Sequence, residues 1–547
     1  MRRLIILLAV ALATSSCTPD DVRVAGPRAT ARAPSPRATP PIPPEGSEEP
    51  TAAPADQKIL RVAVPEPATL DPMLVQDPGS MLVARQLFEG LTRWNPVTRK
   101  VEPAAAESWK IRRGGRRFVF RLRDGMTFHD GRAVTADDFV FAFNRIARRS
   151  SASDLAYTLD RVRGFVEVNQ LGEGNRLPGL RAPNKRTLVI DLREPFYEFP
   201  VVLTHPGLVP VPRAAVRRLQ VFVSEPVGNG PFRIAQPWVP GEEVVLSAFG
   251  DFWEPLALDG IRFVPYADAA ASWLTFRDDG LDVSEVPVGQ IEQAGDEYGT
   301  DAYLPLLNAA YYGVNLDDRK LGARKVRKAV TTAIDREAIA KEIYKGNMEL
   351  PRGIVPPGMP GFDDDVCRRL CEYRPDEAAR AVAELPKRKR KLTVEYTQGR
   401  PHAQVARAVR RNLEAAGFDV KLRSFGFLKY LKRLRDGRHG IYRLGWIAEY
   451  PTPDVFLGSL FESDAPDNHS SYGSKRVDRI LRKARRTRDE VKRVSAYRKA
   501  EKLIMRGIPV VPIGTFEIRW AMQPRVKGLQ FDVMGGFDAA GVSLADD

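Results

Sequence analysis

The residue types that make and break bonds are present in this chain, but never in a catalytic arrangement. No G-x-S-x-G elbow, no H-E-x-x-H helix and no glycine-rich phosphate loop occurs. The five histidines stand far apart, which argues against coordination of a bare metal ion. His129, between Phe128 and Asp130, reads as a packing or surface group. The carboxylates Asp363 to Asp365 follow Pro360-Gly361 and read as a solvated loop. Three cysteines remain. Cys367 and Cys371 have a C-x3-C spacing with no nearby histidine, so they do not make a zinc pattern alone. In an oxidising compartment an even pair predicts a local disulfide.

The third cysteine, Cys17, belongs to the amino-terminal leader. Arg2 and Arg3 precede an unbroken apolar run from Leu4 to Ala13. That run suits the core of a signal peptide and falls short of the ~20 residues that span a bilayer. Thr14, Ser15 and Ser16 are small, as cleavage requires, and Cys17 follows at once. The pattern resembles a bacterial lipobox, with Thr14 where leucine is favoured. Ordinary cleavage beside an unrelated cysteine is the alternative. Lipidation of Cys17 by two or more acyl chains would anchor the protein, since one chain binds membranes only marginally.

Ten of the forty residues from 18 to 57 are proline and none is aromatic. Such a segment cannot bury enough apolar surface to order itself. At ~3.1 Å per residue it forms a tether reaching up to roughly 120 Å. No later stretch approaches ~18 consecutive apolar residues. About 490 residues remain for the folded part, enough for two or three lobes. The hydrophobic fraction of 43% is that of a globular protein, and the net charge is +15. The basic excess is spread along the chain beside acids. Its one dense run, Lys387 to Lys391, reads as a solvated turn, and a leader peptide excludes a nucleic-acid partner.

The pattern of apolar residues predicts strands over 59–64, 117–123, 187–192, 244–248, 261–264, 391–396, 418–422, 508–513 and 518–521. It predicts helices over 80–91, from Thr135, over 324–345, 403–416 and 475–506. Strands and helices interleave, so the fold class is α/β or mixed α+β.

Seven segments then fall in register with one family. LDP at 70–72 is followed by QLFEGLTRWNP (86–96) and VEPAAAESW (101–109). FVFRLRDGMTFHDGRAVTADDFVFAFNR (118–145) is the most diagnostic. PVGNGPFRI (226–234), VNLDDRKLGARKVRKAVTTAIDREAI (314–339) and LGWIAEYPTPDVFLGSLF (444–461) complete the set. Together they resemble the extracellular solute-binding protein family 5, the oligopeptide- and dipeptide-binding group. The resemblance implies a two-lobed, periplasmic-binding-protein-like fold with an extra domain in one lobe. Lobe I would comprise 58–88, 228–313 and 512–544, the extra domain 89–227, and lobe II 315–511; residues 1–16 would be the signal and 17–57 the lipidated cysteine and tether. It also implies a non-catalytic, cofactor-free monomer that delivers its solute to an ABC-type permease and ATPase from the extracytoplasmic face.

A peptide carries an ammonium, a carboxylate and a repeating backbone, and in a closing cleft each charge needs a partner. Glu449 stands where peptide-binding members have an aspartate for the ligand ammonium; its alternative partner is a protein arginine such as Arg443. Arg443 could meet a ligand carboxylate bidentately, or pair within the protein. Trp446 offers an aromatic face to a ligand or to the core. Tyr311 and Tyr312 precede Gly313 near the predicted lobe crossing, and Gly313 replaces an acid of the family's peptide binders. Asn229, between Gly228 and Gly230, is a ligand contact or a structural turn. Rival readings are a binder of a metal chelate or sugar, and a surface receptor without transport. Labelled fatty acid should enter the protein in cells and fail to enter a Cys17→Ser variant; equal incorporation in both would remove the anchor.

Overall fold

The computed structural model describes residues 57–545, so the signal, Cys17 and the tether up to residue 56 lie outside the described residues. A twelve-stranded mixed sheet runs through both lobes. Its spatial order is Asp419–Phe425, Lys391–Thr397, Ile441–Ile447, Asn308–Val314, Val510–Met522, Val283–Glu285, Ile59–Val64, Gly260–Pro265, Val244–Ala248 and Phe232–Ile234. Tyr303–Pro305 and Met348–Glu349 also pair with Val510–Met522. Ile59–Val64 is parallel to both Gly260–Pro265 and Val283–Glu285. In the other lobe Lys391–Thr397 is parallel to both its neighbours.

The strand Val510–Met522 joins the two halves. Sequence periodicity predicts two strands there, and the structure has one. Its middle stays extended because partners succeed one another along it: Asn308–Val314, Met348–Glu349, Tyr303–Pro305, then Val283–Glu285. Pro512 has no N–H to donate, and it lies at the register shift beside Ala310 and Tyr311, where a proline is tolerated.

A second sheet of four strands, Ala106–Arg112, Arg117–Leu122, Thr187–Asp191 and Leu180–Asn184, forms the extra domain. Helix Ala136–Ala147 packs across it and buries Phe139, Phe143 and Ile146. The Asp138 carboxylate accepts hydrogen bonds from the Thr135 backbone N–H and hydroxyl at the helix start. Phe118, Phe139 and Leu188 belong to the same buried cluster as Leu60, Val62 and Phe263. The extra domain therefore shares a core with the first lobe. The second lobe buries two separate clusters, one on each face of its sheet: Tyr312, Val330 and Val394 in one, Tyr311, Tyr430 and Phe456 in the other.

Two long predicted helices are broken. The expected helix over 324–345 divides into Arg324–Thr332 and Arg336–Ala338, the latter continuing into Ile339–Ile343. Buried Arg336 donates to the carbonyls of Thr331, Ile334, Cys371 and Pro512, and Asp335 caps the following turn through Ala338 N–H. The stretch 475–506 divides into Lys475–Arg485 and Glu490–Gly507, with Asp489 capping the second. Cys367 and Cys371 are joined by a disulfide across a helical turn. Lys387–Arg390 is an exposed turn of helix.

The chain leaves the first lobe near residue 88 and returns near residue 230, and the two crossings are tied together. The Asn229 side chain accepts from Glu89 N–H and donates to Glu89 carbonyl, both at 3.0 Å. Gly230 N–H donates to Leu87 carbonyl at 2.9 Å. His129 accepts from Gly228 N–H at Nδ1, and its Nε2 lies 3.1 Å from the Gly230 carbonyl, so the neutral ring serves both. Burial pushes His129 down to about 4, which keeps it neutral at physiological pH. A Cβ on Gly228 would lie 1.8 Å from the Leu87 carbonyl oxygen. Gly228→Ala should therefore destabilise the first lobe by about 3 kcal/mol through overpacking, read as a lowered thermal unfolding midpoint; an unchanged midpoint would refute this tight approach.

Candidate functional site

The strand Ile441–Ile447 and the loop after it carry three of the singled-out residues. Side chains alternate across a strand. Arg443 stands opposite Tyr312, and Trp446 stands opposite Ala309 on the other face. Glu449 lies just beyond the strand end, where the backbone turns toward the extra domain.

Glu449 does not pair with Arg443. Its partners come from the extra domain. The Tyr157 hydroxyl donates to Glu449 Oε2, and His205 Nε2 lies 3.3 Å from the same oxygen. His205 is fully buried, and its Nδ1 accepts from Gly207 N–H at 3.0 Å, which leaves the hydrogen on Nε2 facing the carboxylate. Burial pushes Glu449 up, yet His205 and Tyr157 outweigh it and hold the carboxyl below its usual range. The Glu449 side chain remains 26% exposed, so a ligand can reach it. Asp154 is close enough that burial and the Glu449 charge together raise its own carboxyl. The corner is anionic at neutral pH.

Arg443 is half-buried and has no carboxylate within ion-pair distance among the described residues. Its Nη1 is 3.4 Å from His402 Nε2. Burial, then the Arg443 charge, lowers His402 to about 4, so this imidazole is neutral and accepts. The proton must then sit on His402 Nδ1, a buried atom with no partner. The Tyr312 hydroxyl beside Arg443 is buried and unpartnered as well. Two donors here, His402 Nδ1 and the Tyr312 hydroxyl, lack an acceptor, while the Arg443 guanidinium meets His402 Nε2 and the Tyr344 hydroxyl but no carboxylate.

The remaining predicted residues divide. Tyr311 and Tyr312 are both buried, on opposite faces of the sheet. Trp446 is half-buried against the Tyr311 cluster, and its indole N–H is unpartnered. Asn229 is buried in the clamp with Glu89, away from Arg443 and Glu449 in the topology. Gly313 has a direct explanation: a Cβ there would lie 2.0 Å from the Tyr442 ring, so Tyr442 fills the space of a side chain. Sequence reasoning missed Tyr157 and His205, which lie far from Glu449 along the chain. No local pattern marks either.

The contact between the extra domain and the second lobe continues past Glu449. Asp454 is buried between Arg161 of the extra domain and Arg485 of the second lobe, each at 2.8 Å. Arg485 also meets Glu462 at 2.7 Å, and its carbonyl accepts from Tyr197 N–H. Glu198 accepts from the Tyr497 hydroxyl at 2.7 Å and lies 3.5 Å from Arg493. Burial pushes Glu198 above its usual range although Arg493 and Tyr497 oppose it.

Two lobes with an extra domain, an accessible ionised glutamate and an arginine without a counter-charge frame a candidate ligand cleft. The model of the bacterial extracellular solute-binding proteins, family 5 (middle region) matches residues 100–468, and the chain belongs to that family. It is 28% identical over 494 residues to the probable deoxycholate-binding periplasmic protein YgiS of Escherichia coli (strain K12), covering 86% of this chain and 89% of that one. It is 26% identical to the oligopeptide-binding protein OppA of Bacillus subtilis (strain 168), covering 85% and 88%. The unliganded open form of the periplasmic murein tripeptide binding protein MppA shares the fold with a TM-score of 0.77 at 24% identity, covering 90% of this chain and 98% of that one. The protein is therefore an extracytoplasmic solute-binding protein of an ABC importer class. Among the described residues no helix is long and apolar enough to cross a membrane, and no group of three or more ligating side chains could hold a metal ion.

Asp454→Ala should remove the shared partner of Arg161 and Arg485 and cost about 3 kcal/mol, the penalty of breaking a buried ion pair. The check is a lowered unfolding midpoint; a change within error would show that the junction does not depend on Asp454.

Proposed function

We propose that this protein captures short peptides between its lobes, with Glu449 meeting the ligand ammonium and Arg443 the ligand carboxylate. The observation that carries the reading is the pair of opposite charges in one short segment. Arg443 is met by His402 and Tyr344, which are neutral groups, and has no carboxylate counter-charge among the described residues. Glu449 is held ionised at an accessible corner beside Asp154. A zwitterion supplies what each lacks, and charge-assisted hydrogen bonds are the strong ones. A steroid acid such as the ligand named for YgiS offers a carboxylate for Arg443 but no cation for Glu449, so Glu449 separates the two ligand classes. Trp446 would add an apolar face backed by the Tyr311 cluster, whereas Tyr312 packs on the other face of the sheet and Asn229 serves the clamp at Glu89.

In this reading the closed complex docks on an ABC permease and ATPase as a monomer. Lipidated Cys17 would keep it at the extracytoplasmic face, and the proline-rich segment would give it reach. Native mass spectrometry of the purified protein should reveal a trapped peptide, and calorimetry should show binding to short peptides. Glu449→Gln should weaken that binding about 10- to 100-fold, the worth of a charge-assisted bond. Retention of a steroid, chelate or sugar with no binding to any peptide pool would reject the peptide reading. An unchanged Kd in Glu449→Gln would reject the role of Glu449.

A further inference from the structure

A second carboxylate near the lobe crossing has no partner, and the proposed ligand-capture role does not yet use it. Glu285 ends the strand Val283–Glu285, which runs parallel to Ile59–Val64. In open α/β sheets the carboxyl ends of parallel strands border the ligand crevice. The neighbour on the other side is Val510–Met522, the strand that passes between the lobes. Glu285 pairs with Trp520, and the residues on the way to the second lobe follow at Arg519 and Glu517. Glu285 thus sits at the end of its strand nearest the crossing.

Neither carboxylate oxygen of Glu285 has a hydrogen-bond or ion-pair partner among the described residues. Burial alone acts on it and pushes it up to about 7. The charged groups on the surrounding elements are engaged elsewhere. Arg519 is held by Glu517 and Asn347, Arg61 by Asp282, and Arg277 of the adjacent helix Ala269–Arg277 by Glu297. Tyr303, on the next strand, donates to the Ile291 carbonyl. Directly across the ladder, Trp520 is stacked on Phe531 with ring centroids 4.8 Å apart, and its buried indole N–H is also unpartnered. Residues directly opposite in an antiparallel pair share a face and lie within contact distance. A half-buried carboxylate therefore stands beside an aromatic wall.

We propose that Glu285 is the counter-charge for a basic side chain of the captured peptide, and so makes the protein select ligands carrying lysine or arginine. This rests on the peptide reading of the Arg443 and Glu449 site and adds a third charge to it. A basic side chain fits the surroundings in two ways: its cation meets the carboxylate, and its methylene stem lies against apolar surface. The linkage has a definite sign. Burial raises the Glu285 carboxyl to about 7, so the preference for a cation grows as pH rises through that region and fades as pH falls below it.

The experiment is calorimetry on the mature protein with tetra-alanine peptides in which lysine, or uncharged norleucine, is walked through the four positions. Each pair is compared at pH 8 and pH 6, so that titration of the peptide amine cancels in the ratio. At one position lysine should bind about tenfold tighter than norleucine at pH 8, a gap worth about 1.4 kcal/mol. The ratio should shrink at pH 6 and approach one in Glu285→Gln at both pH values. Glu285→Asp, which keeps the charge, should retain part of it. Thermal unfolding of Glu285→Gln should show no loss of stability, because the substitution removes a half-buried charge that has no partner in the fold. Equal binding of lysine and norleucine peptides at every position, or a lysine preference that survives in Glu285→Gln, overturns the assignment and leaves the peptide reading standing. No binding of either peptide series overturns both.

Discussion

A carboxylate moved out of water loses solvation worth several kcal/mol unless a partner replaces it. The junction of the extra domain with the second lobe is arranged around three such groups. Asp454 is compensated by two arginines drawn from opposite sides of the junction. Glu198 is met by a tyrosine hydroxyl and an arginine, incompletely enough that burial still raises it. Glu449 is met by a hydroxyl and an imidazole and stays partly exposed. That gradation separates structure from recognition. The fully compensated acid fastens the fold, and the acid that remains partly exposed keeps its carboxylate available to an incoming cation.

The same separation runs through the arginines. Arg336 and Arg327 are surrounded by backbone carbonyls and serve the local chain. Arg485 is matched by acids. Arg443 has an imidazole and a tyrosine hydroxyl but no acid, and it stands on the third strand from one edge of the sheet, between two paired neighbours. Rigid elements hold both recognition charges from below. The Tyr311 and Tyr312 rings fill the two faces beneath that strand, so the backbone that carries Arg443 has little freedom to shift.

Local periodicity made most strands legible: Ile59–Val64, Val244–Ala248 and Lys391–Thr397 match the expectation within a residue or two. The errors have two causes. The long strand Val510–Met522 and the break near Asp335 involve partners distant in sequence, whereas the break near Asp489 is a local helix cap that periodicity alone does not show. The site was half legible. Glu449 and Arg443 could be singled out from the short segment they share, but their surroundings could not. Tyr157 and His205 reach Glu449 from another domain. Tyr442, which explains Gly313, lies on a different strand. Glu285 lies on a short strand that the sequence pattern did not mark, so nothing in the sequence set it apart.

The clamp at Asn229 has one more consequence. Because the outgoing and returning chains touch at Leu87 and Gly230, the extra domain is a loop whose two ends meet. A module attached in this way can be acquired, enlarged or lost in a lineage without rethreading the sheet that carries it, since termini that lie together tolerate insertion. Its shared core with the first lobe ties its movement to one side of the cleft, while its acids and arginines face the other. The inserted module is thus where the tightness of the hinge can be tuned without altering the strands that form the hinge.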